Sequence, residues 1–368
     1  MAVAMTAAPT LGGLIAEFLG WRWIFFLNLP VGLLLILAVQ RHIQESQNEQ
    51  SARLDLWGSV TFSGALLCLT WGLIEANRIG WESAATFLRL SAGLMLLALF
   101  VIVERVQSKP MVDLDLFRHP RFIGALLGMF AYAGCAQVMM TLLPFSLQNG
   151  LGLRAIASGM GMLPFALTML IGPKIGVRLS QRFSPAAMMA FGLGLVGAGN
   201  LLSAWAALSE GYVGFACAIA VTGAGAGMLN GDTQKNIMAC VPRDRAGMAS
   251  GMSTTLRFSA IMLAIGVYGA LLAGHTEQTL GMSLLHSAPQ LLSHTEAIAS
   301  RVVAGDMAAA MQGLPDNSRL LVQPLAKQAF IAGFAMLSWV AGLMALLGAI
   351  VVGTLMRKPV PNLRINAA

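Results

Sequence analysis

Charge is what this sequence has least of. Asp, Glu, Lys and Arg make up 11% of its 368 residues, against about a quarter in soluble domains. With 57% of residues hydrophobic, no water-facing surface could be built from what remains, so a soluble fold is excluded and lipid is the implied solvent. Acids are scarcer than bases, 16 against 23. Glu17, Glu75, Glu104, Glu210 and Asp232 all fall near the ends of apolar runs. None sits at mid-bilayer, where a proton-carrying acid of raised pKa is expected. Paired Asp, a Ser/His pair and a metal cluster at depth are equally missing, which excludes intramembrane hydrolysis and leaves no enzyme reading. Cysteine is confined to Cys68, Cys135, Cys217 and Cys240 without any CxxC spacing, so neither a disulfide framework nor a metal site is indicated. His275, His286 and His294 share one stretch but match no ligand motif, and no cofactor is expected. Met1 opens directly into an apolar stretch without a basic lead-in, so no cleavable signal is expected.

What the sequence has in abundance is apolar length. A spanning helix needs about 20 mostly apolar residues. Ten stretches qualify: Met1 to about Ala16, then roughly 23–39, 56–74, 87–103, 122–146, 156–177, 186–207, 211–231, 247–273 and 329–356. The fold class is therefore all-α, a polytopic membrane protein. The net charge of +7 would first suggest nucleic acid. The bases, however, concentrate in short loops between apolar runs, at 40–55, 104–121, 178–185 and 232–246 and in the tail. That is the positive-inside pattern; it excludes a nucleic-acid role and puts those loops and both termini in the cytoplasm. The long stretch 274–328 is expected outside as a loop. Ser293 to Glu296 forms a capping-box pattern there, opening a short surface helix that stops at Gly313-Leu314-Pro315.

The stretch Thr222–Ala273 concentrates the informative residues. Gly223, Gly225 and Gly227 superficially resemble a nucleotide-binding loop, but they lie inside an apolar run whose amides are already paired, so they read as helix packing. Gly247 and Gly251, then Ala260 and Ala264, give two small-xxx-small pairs for the same purpose. Arg257 is a cation well inside a predicted helix. Such a group faces a water-filled path or an internal partner. It is either a path-lining cation or a clamp on carbonyl and amide groups. Tyr132, Gln137, Gln148, Met139, Met140, Met160 and Met162 line or flank two neighbouring spans, and methionine-rich apolar surfaces suit varied substrates.

Residues 9–32, PTLGGLIAEFLGWRWIFFLNLPVG, resemble the fifth and sixth helices of the major facilitator superfamily, in its fourteen-helix drug:proton antiporter branch (EmrB/QacA-type). Pro9, Gly12 and Gly13 match the end of that branch's antiporter signature, with Ala8 replacing its first glycine. Trp21 to Gly32 match the motif that follows. LDLWG at 54–58, KPMVDLDLFRHPRF at 109–122, SLQNGLGLRAIASGMGMLPFAL at 146–167 and the stretch 223–257 resemble later segments of the same branch. Two departures stand out. An acid usual in the tenth-to-eleventh loop is Gln181, and a polar neighbour usual after the arginine is Phe258.

The resemblance implies ten helices corresponding to the family's fifth to fourteenth. Residues 1–40 would complete an N-terminal bundle, 41–106 would be an inserted helix pair, and 107–368 a six-helix C-terminal bundle. It implies that the first four helices are lacking and that the chain alone does not transport. The implied function is proton-coupled efflux of hydrophobic or amphipathic drugs across the cell inner membrane by alternating access. Pro9, Gly12 and Gly13 would act as a hinge or seal, with a small-molecule substrate, protons, the bilayer and a periplasmic adaptor as partners. The alternatives are a transport-inactive fragment and a metabolite permease of the same fold.

Overall fold

The computed structural model describes residues 11–12, 14–15, 17–42, 55–80, 82–107, 112, 114–209, 211–242, 245–312, 314 and 316–357. Every regular element among them is a helix, and nine helices are long and apolar enough to cross a membrane. In lipid a backbone amide has no water to turn to, so a helix is the form that satisfies an apolar span internally. In chain order the elements are α1 (Arg22–His42), α2 (Leu56–Ile79), α3 (Ala84–Val106), α4 (Pro120–Gly150), α5 (Ile156–Ser180) and α6 (Pro185–Ala207). They continue as α7 (Tyr212–Leu229), α8 (Asp232–Met238), α9 (Ala246–Ser287), α10 (Thr295–Val303), α11 (Met307–Met311) and α12 (Asp316–Leu355). The candidate span from Met1 to about Ala16 lies outside the described residues except at 11–12 and 14–15.

Polar residues at the helix starts do the local work. Asp55 caps α2, its carboxylate accepting from the Gly58 amide at 2.7 Å, which gives the LDLWG motif a structural role. Ser184 accepts from the Ala187 amide at 3.3 Å with Pro185 in the first position of α6. Both are favoured N-terminal arrangements. α2 and α3 form a hairpin tied at both ends. At one end Gln107 donates to Asp55 at 2.9 Å and the Val112 amide donates to buried Glu104 at 3.1 Å. At the other, Arg89 pairs with Glu75 at 2.7 Å and lies 4.5 Å from the centre of the Trp71 ring, while Trp71 donates to Glu75 at 2.6 Å.

From α4 onward the helices form a dense bundle. α6 packs between α7 and α12, α5 against α7, and α9 against α12 and the hairpin. Glycine permits the closest of these approaches. A Cβ on Gly225 would lie 2.6 Å from the Gly192 carbonyl oxygen, and one on Gly172 would lie 2.8 Å from the Gly227 backbone. Tyr132, Tyr268, Phe122, Phe165, Phe330 and Phe334 are fully buried between the helices.

Three sequence expectations are corrected. Residues 274–328 are not a loop. α9 has 42 residues and α12 has 40, so at 1.5 Å per residue each is about 60 Å long, twice a hydrocarbon core of about 30 Å. The polar residues from His275 onward mark where α9 leaves the apolar zone, not where the helix stops. The projecting ends, with α10 and α11, bury their own apolar set of Leu280, Leu284, Leu291, Ile298, Val302 and Met311. Second, the capping box does not form: α10 starts after His294, which makes no side-chain cap. Third, 232–246 is not wholly loop. The chain breaks at Gly231, whose φ of 92° suits glycine, and resumes as α8 with Asp232 in its first turn.

Candidate transport site

α4 is not a regular α-helix. It contains two π-helical turns, Ala133–Gln137 and Ser146–Gly150. A π turn inserts a residue into the helical ladder, and such bulges concentrate at functional sites. The first is held from two sides. Asn200 of α6, itself buried, donates from Nδ2 to the Cys135 carbonyl at 2.9 Å. From α9, the Tyr268 hydroxyl lies 3.7 Å from the Cys135 sulfur, and a Cβ on Gly134 would lie 3.5 Å from the Ala264 methyl. The small residues Ala133, Gly134 and Ala136 leave room for both neighbours.

The bulge carries two of the three path residues expected from sequence. Tyr132 precedes it and is 1% exposed; its hydroxyl is buried and has no hydrogen-bond partner. Gln137 closes it, with Oε1 buried and unpartnered. An unsatisfied buried polar group costs about 1–3 kcal/mol. Arg257, the third, lies about 16 Å along α9 from Ala246 at 1.5 Å per residue. It is half-buried and within electrostatic range of Tyr132. Its guanidinium carbon is 5.2 Å from the centre of the Phe258 ring, and Phe258 is 54% exposed. Phe258 thus offers Arg257 a cation–π face. Arg257 forms no ion pair among the described residues.

Two apolar cavities lie along α4 and α9, and neither is lined by Tyr132, Gln137 or Arg257. A cavity of about 290 Å³ opens between α4, α9 and α12, lined by Leu127, Phe130, Leu263, Val267, Met344 and Leu347, with Cys135 and Tyr268 also on its wall. A second, of about 150 Å³, lies between the hairpin and the bundle against Phe62, Phe100, Leu126 and Leu256. Sites of this kind, apolar with few polar groups, suit hydrophobic molecules.

The other residues expected to matter fall differently. Met139 and Met162 are core residues at 0% and 2% exposure, whereas Met160 and Gln148 face outward and Met140 packs on the rim of the core. Gly223, Gly225 and Gly227 lie against backbone of α5 and α6; a Cβ on Gly223 would meet the Phe165 carbonyl and one on Gly227 the Met169 carbonyl. Gly247 and Gly251 differ: nothing lies within 4 Å of an added Cβ at either. The close packing expected of them is corrected, because that face of the first turns of α9 has no neighbour among the described residues. The second small pair does pack, Ala260 being 0% exposed and Ala264 facing Gly134. An added Cβ on Gly12 also meets nothing, and Pro9 and Gly13 lie outside the described residues. No group of three His, Cys, Asp or Glu arranged for a metal occurs among the described residues. Sequence reasoning missed Asn200, Tyr268, the Glu75–Arg89 pair and Lys174, an exposed cation inside α5. Each was available as a polar residue within an apolar run.

Among the described residues, nine helices long and apolar enough to cross a bilayer define a polytopic membrane protein. Residues 1–265 match the Major Facilitator Superfamily, and the chain belongs to that family. It is 32% identical over 288 residues to the multidrug resistance protein Stp of Mycobacterium tuberculosis, an alignment covering 78% of this chain and 53% of that protein. It is 28% identical over 369 residues to the tetracenomycin C resistance and export protein of Streptomyces glaucescens, covering 98% of this chain and 68% of that one. The cephamycin export protein CmcT of Amycolatopsis lactamdurans is 31% identical over 256 residues, covering 67% and 52%. The chain thus spans about half the length of Stp and CmcT.

Proposed function

We propose that the chain takes part in proton-coupled export of hydrophobic or amphipathic compounds across the inner membrane, by alternating access, within the fourteen-helix drug:proton antiporter branch. The observation that carries this is Arg257. A cation in an apolar span, within electrostatic range of an unpartnered buried hydroxyl, suits a polar anchor for an otherwise greasy cargo. The relatives named for resistance or export support the direction of transport.

In this reading 107–368 is one rocking bundle and the α2–α3 hairpin an insert beside it, while residues 1–40 contribute to the opposing bundle. Pro9, Gly12 and Gly13 serve as a hinge or seal at the outer end of the first helix. Both termini are cytoplasmic, the projecting ends of α9 and α12 stand outside, and a periplasmic adaptor docks there.

Two measurements test this. Inverted membrane vesicles from cells expressing the protein from its own locus should show proton-gradient-driven uptake of an amphipathic antibiotic, abolished by an uncoupler; uptake indifferent to the gradient would overturn proton coupling. A cysteine placed at exposed Ser300 should react with an impermeant maleimide from outside intact cells. The exposed native Cys217 is first replaced by serine, so that residue 300 alone reports; Cys240 is buried. Labelling at 300 from the cytoplasmic side alone would invert the topology.

A further inference from the structure

We propose that the cavity where α6 ends and α7 begins binds the phosphate of an anionic phospholipid, with Lys327, Ser146 and the first turn of α7 as its donors. Such a site goes beyond export and does not depend on it.

The first ground is a convergence of donors. A cavity of about 140 Å³ lies between the second π turn of α4, the end of α6, the start of α7 and α12. About 10–15 Å³ is enough for one water, so a phosphate group has room. Lys327 of α12 stands on the wall, exposed and without an ion pair among the described residues. Ser146 is on the wall too, only 8% exposed. Its hydroxyl makes no hydrogen bond among the described residues, unlike that of Ser203, which turns back on its own helix. A Cβ on Gly150 would lie 3.7 Å from the Ser146 Oγ and 3.5 Å from Ile331. Gly150 and Ile331 both line the cavity, which aims the hydroxyl into it. α7 starts at the same place, with Gly211 and Phe215 on the wall. The amides of a helix's first turn have no acceptor within the helix; here Gly211 offers no side-chain cap and the first turn holds no acid. Ammonium, hydroxyl and helix start thus present donors to one space, a set that suits an oxyanion. At the end of α6 the Ala206 carbonyl is already occupied, accepting from the amide and the hydroxyl of Ser209 at 3.1 and 2.9 Å.

The second ground is the level of the cavity. α6 stops at Ala207 and α7 starts at Tyr212, so it lies where the apolar spans end and lipid headgroups begin. Trp205 and Leu208 border its α6 wall in sequence and Val213 its α7 wall, and all three are more than half exposed. A tryptophan at this level belongs to the interfacial belt, and the three together offer apolar surface for acyl chains beneath a bound headgroup. A free phosphate would use none of that surface. The π turn also meets α10, Asn149 donating to the Val302 carbonyl at 3.4 Å, which assigns the cavity to the outer leaflet in the topology proposed above.

The test is native mass spectrometry of the 368-residue chain in detergent, titrated with phosphatidylglycerol, with phosphatidylcholine of the same acyl chains, and with inorganic phosphate. The wild type should hold phosphatidylglycerol about fivefold more tightly than phosphatidylcholine, the worth of one lysine beside an anionic headgroup. Lys327→Gln should erase that preference and Lys327→Arg should keep it. Ser146→Ala should weaken both lipids about threefold, because both carry the phosphate. Lys235→Gln removes the same charge beyond the other end of α7 and should change nothing. Equal binding of the two lipids, as a cavity holding only water would give, would overturn the proposal. So would a preference that Lys235→Gln reduces as much as Lys327→Gln does, which would be the pull of net charge alone. Inorganic phosphate bound as tightly as phosphatidylglycerol would rule out the lipid as the source of the oxyanion. Glu210 precedes Gly211 in sequence and lies outside the described residues. A preference absent from the wild type and gained on Glu210→Gln would mean that the lysine already has its acid, and would likewise overturn the site. Should Lys327→Gln fail to fold, the wild-type preference and Ser146→Ala still decide.

Discussion

The span α1 and the helices of the C-terminal bundle are all apolar enough to cross a membrane but use glycine in different ways. Along α1 no residue in the most apolar stretch is buried, and Gly12, Gly20 and Gly32 have open space where a Cβ would go. In the hairpin the contacts are intermediate: an added Cβ on Gly72 would press on the tip of Leu90 at 2.8 Å. In the bundle, where 61% of the corresponding stretch of α4 and 56% of that of α6 are buried, Gly225 and Gly172 meet backbone. Leucine tips can rotate aside, whereas a carbonyl in a neighbouring helix cannot. A high glycine content therefore marks membrane helices in general, and only the neighbour's identity says which glycines hold the fold together.

The comparison is best broken at its tightest point. Gly225→Val should cost about 3 kcal/mol or abolish folded protein altogether, since overpacking against backbone has no cheap relief; unfolding of purified protein in detergent would read this, and a variant of wild-type stability would mean the helices separate freely. Asn200→Leu keeps the number and branching of the side-chain heavy atoms but removes the donor to the Cys135 carbonyl in the π turn. It should lose about 1–2 kcal/mol in the same assay. Gly72→Ala pushes only a flexible leucine and should lose under about 1 kcal/mol. Gly32→Ala should stay within about 0.5 kcal/mol of wild type. Should Gly32→Ala instead match Gly225→Val, the open face of α1 would have a packed partner of its own.

How far the sequence could be read follows the same physics. Spans bounded by their own composition came through: 56–74, 87–103 and 186–207 sit within or nearly coincide with α2, α3 and α6. The ends of α9 and α12 did not, because hydropathy reports where lipid stops, and a helix can run on past that level under its own cap of packed side chains. The π turn at Ala133–Gln137 was invisible because it depends on Asn200, a residue more than sixty positions away. Tyr132 and Arg257 were picked out separately as polar groups in apolar runs. That Arg257 lies within electrostatic range of Tyr132 depends on the packing of α4 on α9. The roles expected of Gly247 and Gly251 failed for the converse reason: spacing shows that small residues share a face, not that anything sits on it.

The proposed function turns on whether Arg257 is a path-lining cation or an internal clamp. It is tested most directly by measuring antibiotic accumulation in cells expressing the wild-type protein or Arg257→Ala at equal membrane levels from the native locus. Arg257→Ala should lose export while the protein remains folded in the membrane, raising accumulation to that of cells without the gene. Normal export by Arg257→Ala would contradict the assignment, and loss of the folded protein would make the arginine a structural clamp.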